Sequence, residues 1–143
     1  GATFEDNSWE RKIILPGWKM YMNSVQAYVA MENFKKLKQK QQRYDEIREM
    51  YNSELGLTNT SRHLYRIRVP DRESFMNTMK SKGIQTGIHY KNVQEIDCYK
   101  FPNTVATPLS EVESVSTVSI PYHERMSQKD VDLVIKEVKN AIS

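Results

Sequence analysis

The chain has 143 residues, 38% of them hydrophobic and 27% charged, a length and balance that fit one folded domain and exclude wholesale disorder. Its formal net charge of +3 is too small to mark a nucleic-acid binder, which gathers a strong basic bias on one face. Cys98 is the only cysteine, which excludes an intrachain disulfide framework and a multi-cysteine zinc site.

Residues 1–22 carry Trp9, Trp18 and the breaker pair Pro16-Gly17. No helical or alternating period runs through them, so they read as an extended or looped lead-in. The longest apolar run here is Ile13-Ile14-Leu15, far short of a signal or membrane segment, and the expected location is cytoplasmic. The chain opens Gly1-Ala2-Thr3 without a methionine, and further sequence upstream is expected.

From Asn23 to Leu55 there is neither glycine nor proline, while Gln, Lys, Glu, Met and Ala abound. That composition predicts a long helix or two stacked ones. Asn23 or Ser24 is its N-cap, and Gly56 sits where a C-terminal glycine belongs. Val25, Tyr28, Val29, Phe34 and Leu37 form one apolar stripe, and Tyr44, Ile47, Tyr51 and Leu55 a second. The run Lys35, Lys36, Lys38, Lys40 and Arg43 spreads around the helix, which favours a solvated face over a nucleic-acid site.

His63–Val69 alternates, with Tyr65, Ile67 and Val69 inward, and predicts a half-buried strand. Pro70-Asp71 stops it, and Asp71 caps a helix with Phe75, Met76 and Met79 inward, ended by Lys82-Gly83. Ile84–Tyr90 reads as a second strand, a short helix is expected over Leu109–Glu113, and Val115–Ile120 is a third strand. Ser127 and Asp130 form a capping-box pattern, followed by Val131, Val134, Ile135, Val138 and Ile142 at helical spacing. The predicted fold is α+β: a small three-stranded, mainly antiparallel sheet covered by helices and led by a long N-terminal helix.

No nucleophile elbow, Walker loop or dinucleotide fingerprint occurs. His63, His89 and His123 lie on separate elements, a spacing that does not support a metal site. His89-Tyr90 ends a predicted strand where the chain leaves for an irregular loop, a common place for binding residues. From spacing alone, a pair that merely covers the sheet edge is the simpler reading.

Several segments together resemble one family, the fold-type-I pyridoxal-phosphate sugar aminotransferases of the DegT/DnrJ/StrS group. Gly17-Trp-Lys-Met-Tyr-Met-Asn-Ser-Val-Gln-Ala27 is similar to its segment Gly-Tyr-Lys-Tyr-Asn-Met-Thr-Asp-Ile-Gln-Ala, His63–Val69 to its first small-domain strand, and Gly83-Ile-Gln-Thr-Gly-Ile-His-Tyr90 to its Gly-Ile-x-Thr-Gly-Ile-His-Tyr signature. Ser119-Ile-Pro121 and the Ser127–Asp130 pattern match its closing strand and helix. The likeness implies that residues 23–143 are the C-terminal small domain and residues 1–22 lead in from a large domain upstream.

The resemblance also implies a function. The parent would move an amino group from an amino-acid donor to a nucleotide-linked keto-sugar, as a homodimer using pyridoxal phosphate. The cofactor-bearing lysine and the aspartate on the pyridine nitrogen belong to the large domain, and no lysine here sits in a matching context. The resemblance therefore assigns no catalytic residue to this chain and expects the chain alone to be inactive, without bound cofactor. Lys19 and Tyr21 match positions from which an asparagine reaches the cofactor phosphate of the partner subunit, and His89 and Tyr90 match positions bordering the sugar nucleotide. After Tyr90 the family continues with proline and a second histidine, whereas this chain has Lys91-Asn92-Val93-Gln94. The alternative is a non-catalytic interaction or regulatory module derived from the same fold. No nucleic-acid or membrane partner is expected.

Overall fold

The computed structural model describes residues 2–4, 11–13, 21–90, 92, 94 and 107–142, the first six as backbone. The chain falls into two compact units, Gly1–Leu37 and Lys38–Ser143.

In the first unit, strands β1 (Ala2–Phe4) and β2 (Arg11–Ile13) pair antiparallel, Ala2 opposite Ile13. Of the extended and looped readings of the lead-in, these six residues take the extended one, paired as a ladder. Helix α1 (Ser24–Lys35) starts on Asn23. The Asn23 side chain accepts from the Gln26 N–H at 2.9 Å, and the Asn23 N–H donates to Gln26 Oε1 at 3.1 Å. This reciprocal capping satisfies two donors that a helix start otherwise leaves without partners.

Of the two readings, one long helix or two, the chain takes two helices, because α2 (Leu37–Leu55) begins after a break at Lys36. The Lys36 N–H donates to the Asn33 carbonyl at 3.1 Å, three residues back instead of four. Asn33 Nδ2 bonds the Val29 carbonyl at 3.0 Å. A side-chain amide that competes for helix carbonyls weakens the ladder without any glycine or proline. Helix α1 buries none of its residues. Its predicted core stripe is open: Val25 and Phe34 are each 73% exposed.

In the second unit, strands β3 (Tyr65–Arg68) and β4 (Thr117–Ile120) pair antiparallel, Tyr65 opposite Ile120 and Ile67 opposite Val118. Alternation along β3 buries Tyr65 and Ile67 and exposes Arg66 and Arg68, as the period-two pattern predicts. The expected second strand, Ile84–Tyr90, reduces to one bridge between Gly87 and Ser119. A glycine there brings no side chain to a ladder, and His89 folds back over the sheet instead of extending along it.

Three helices complete the core. Helix α2 contributes Ile47 and Tyr51, α3 (Arg72–Ser81) contributes Phe75 and Met79, and α5 (Gln128–Ile142) contributes Val131, Val134 and Val138. The spacing read from the sequence matches these inward faces, although Ile142 lies half exposed at the end of α5. Asp71 caps α3 through the Ser74 N–H at 3.0 Å, and Ser127 and Asp130 cap α5 reciprocally. Helix α4 (Pro108–Ser116) is longer than the predicted Leu109–Glu113 and leads directly into β4. Gly56 and Gly83 close α2 and α3 at φ 64° and 76°, a conformation in which a Cβ is strained.

Tyrosines fill the space between α2 and the sheet. Tyr51 and Tyr65 meet edge to face with centroids 4.9 Å apart, and Tyr65 and Tyr122 at 5.9 Å. Each such pair contributes about 0.5–1.5 kcal/mol beyond area burial. Their hydroxyls stay satisfied: Tyr51 donates to the Pro121 carbonyl at 2.9 Å and Tyr65 to Asn52 Oδ1 at 2.8 Å. Burial, and then the neighbouring Tyr122, push the Tyr65 hydroxyl pKa up to about 12.

Candidate functional site

The outer face of the β3–β4 ladder carries the polar groups. Arg66 stands opposite Ser119, and both backbone groups of Ser119 bond to Gly87 on the other side, at 2.8 and 2.9 Å. Arg66 and Ser119 are thus a pair without hydrogen bonds between their backbones, the type whose side chains approach more closely on a shared face.

His89 folds onto that face. Its Nδ1 lies 3.0 Å from Ser119 Oγ, with donor and acceptor set by the tautomer. The imidazole reaches this place because Gly87 has no Cβ: one added there would stand 2.8 Å from His89 Cε1. The adjacent Tyr90 ring meets the imidazole edge to face at 5.8 Å and is 69% exposed. His89 covers Ser119, which is 5% exposed despite its place on the outer face.

Tyr90 and Arg66 share a groove of about 580 Å³ with His63, Leu64 and the turn Thr58–Ser61. That turn is anchored from three sides. Asn52 Nδ2 donates to the Asn59 carbonyl at 3.1 Å and Asn52 Oδ1 accepts from the Asn59 N–H at 3.0 Å. Arg62 clamps Asp45 through two bonds of 2.8 and 2.6 Å, and this clamp holds the Asp45 carboxyl below its ordinary pKa. The Tyr122 hydroxyl, with one proton to give, lies 3.0 Å from the Tyr44 carbonyl and 3.2 Å from that of Ser61. A groove wall fixed in this way presents its hydroxyls without further ordering.

Of the residues expected to bind, His89 and Tyr90 meet ring to ring, and Tyr90 lines this groove while His89 lies against Ser119. Tyr21, in the first unit, is 76% exposed, and Lys19 lies outside the described residues. Sequence reasoning missed Arg66 as a site residue. Alternation correctly put it on the outer face, but nothing in a single strand shows which outward cation meets a groove.

Three cations of the basic run on α1 and α2 have carboxylate partners. Lys35 pairs with Glu32, Lys40 with Glu124, and Arg43 with Glu46. Among the described residues no group of three His, Cys, Asp or Glu is placed to hold a metal ion, and no helix is long and apolar enough to cross a membrane.

The fold has counterparts among known proteins. The fold is similar to that of a Streptococcus pneumoniae protein assigned as a sugar aminotransferase and solved in its pyridoxal-phosphate form, with TM-score 0.81 and 24% identity over 99% of this chain and 40% of that one. It is also similar to a DegT/DnrJ/EryC1/StrS aminotransferase from Brucella abortus, with TM-score 0.82 and 21% identity over 97% and 40% of the two chains. A third similar structure is PseC of Helicobacter pylori, an aminotransferase involved in pseudoaminic acid biosynthesis, with TM-score 0.78 and 19% identity over 99% and 43%. The chain thus spans about two fifths of the length of these proteins. The model of the DegT/DnrJ/EryC1/StrS aminotransferase family matches residues 2–139, nearly the whole sequence. The chain belongs to the DegT/DnrJ/EryC1/StrS aminotransferase family.

Proposed function

We propose that this chain is the C-terminal, substrate-bordering part of a pyridoxal-phosphate aminotransferase that aminates a nucleotide-linked keto-sugar, and that the chain alone does not turn over. The observation that carries the proposal is the family match over residues 2–139 in a chain about 40% as long as its structural relatives. The naming of one relative for pseudoaminic acid biosynthesis supports a sugar substrate.

In this reading residues 1–22 lead in from a large domain, residues 23–143 form the small domain, and the parent acts as a homodimer. The open face of α1 supports a docking role. Val25, Tyr28, Val29, Met31 and Phe34 are all more than half exposed, an apolar surface that a soluble domain ordinarily covers. The large domain of the same polypeptide is the proposed cover.

Bound pyridoxal phosphate supplies the carbonyl and electron sink that amino transfer needs. Lys19 and Tyr21 would hold its phosphate, because an ammonium and a phenol both donate to phosphoryl oxygens. Tyr21 fits that part, being 76% exposed just ahead of the Asn23 cap. His89 would border the sugar with its ring orientation fixed by Ser119, and Tyr90 would present its hydroxyl from the groove.

Amino transfer tests the proposal. The chain alone and a polypeptide extended upstream by the large domain are each given pyridoxal phosphate, glutamate and a nucleotide-linked keto-sugar. Amino sugar is expected only from the longer polypeptide. Formation by the 143-residue chain, or by neither with any such sugar, would overturn it.

A further inference from the structure

Arg66 differs from the other outward arginines near it. Arg43, Arg48, Arg62 and Arg68 each pair with a carboxylate: Glu46, Asp45, Asp45 and Glu113 respectively. Arg66, exposed on β3, has no carboxylate partner among the described residues. Its guanidinium lines the groove closed by the turn Thr58–Ser61 and by Tyr90.

The opposite wall offers donors. Ser61 Oγ accepts the His63 N–H at 3.0 Å and the Leu64 N–H at 3.5 Å. With both of those contacts accepting, its own proton is left to donate outward. Thr58, Thr60 and Tyr90 add three hydroxyls to the same lining, and among the described residues the lining contains no Asp or Glu. A guanidinium fork and several hydroxyl donors in one groove, with no carboxylate among its described residues, match an anion with several acceptor oxygens.

We propose that Arg66, Ser61, Thr58, Thr60 and Tyr90 form a subsite for a phosphoryl group. The proposal deepens the sugar-nucleotide reading and rests on it only for the carrier of the phosphate: a substrate diphosphate and free inorganic pyrophosphate share the chemistry. Arg66 is the positioning charge, and the hydroxyls select an oxyanion over a neutral group. About 580 Å³ leaves room for more than one phosphoryl unit.

Backbone amide spectra of the 143-residue chain, titrated separately with inorganic pyrophosphate, uridine diphosphate and uridine, test it. Pyrophosphate and uridine diphosphate are expected to shift Thr58, Thr60, Ser61 and Arg66 in a saturable way, whereas uridine leaves them unmoved. Arg66→Ala should weaken both anions roughly tenfold, with partial recovery in Arg66→Lys. Arg66 is exposed, so the variants should keep the wild-type fold and spectrum elsewhere. Tighter binding of uridine diphosphate than of pyrophosphate would identify a substrate phosphate; equal binding would identify a free phosphate ligand of the same subsite. Absence of saturable shifts at the turn, or equal affinity in Arg66→Ala, would overturn the subsite. Failure of the aminotransferase reading shows separately, in the amino-transfer assay, and leaves these shifts intact.

Discussion

Asn52→Ala removes the side chain that ties helix α2 to both the groove turn and the sheet. Three bonds go together: to the Asn59 carbonyl at 3.1 Å, from the Asn59 N–H at 3.0 Å, and from the Tyr65 hydroxyl at 2.8 Å. At about 0.5–1.5 kcal/mol net for each, the loss is about 2–4 kcal/mol. The upper half applies if the Tyr65 hydroxyl stays buried without a partner, since an orphaned buried donor costs about 1–3 kcal/mol by itself. Urea unfolding followed by far-ultraviolet circular dichroism measures the change as a shifted midpoint at constant slope. A double-mutant cycle with Tyr65→Phe isolates the buried term, because Asn52→Ala should cost about 1 kcal/mol less once that hydroxyl is gone. A cost below about 0.5 kcal/mol would show that the turn is held by Arg62 and Tyr122 without Asn52, and would refute the reasoning.

Gly87→Ala places a methyl group 2.8 Å from His89 Cε1, so the imidazole should leave Ser119. The His89 ring resonances are expected to move while stability falls by only about 1 kcal/mol, the net worth of one hydrogen bond; unmoved ring signals would contradict the packing described. The raised pKa of Tyr65 carries a pH dependence with a definite sign. Its folded value of about 12 lies above the unfolded value of about 10, so its contribution is complete below about pH 10 and is lost as pH rises toward 12. Tyrosinate absorbance should therefore appear in two stages, exposed tyrosines first and Tyr65 only with alkaline unfolding. A single transition near pH 10, with the fold retained, would contradict that burial.

The second unit was largely legible because its signals are local and periodic. Tyr65, Ile67 and Val69 alternate, Ile47 and Tyr51 stand four apart, and Asp71 and Ser127 mark helix starts by residue type alone. The break at Lys36 was not legible, since it depends on an Asn33 side chain bonding backward rather than on a breaker residue. The strand expected over Ile84–Tyr90 failed for a related reason: Gly87 pairs once, and His89 takes up the space beside it. At the site, the resemblance pointed to His89 and Tyr90. Arg66 needed three-dimensional information, because its place opposite Ser119 and across from the Thr58–Ser61 turn joins three separate stretches of chain.

The central claim is that this chain is the substrate-bordering part of an aminotransferase whose cofactor-bearing lysine lies outside it. The most direct measurement is intact and peptide mass spectrometry after incubation with pyridoxal phosphate and borohydride. The account predicts no site-specific pyridoxyl-lysine on the 143-residue chain and one such lysine in the large domain of the extended polypeptide. A stoichiometric adduct at a single lysine of this chain would contradict it.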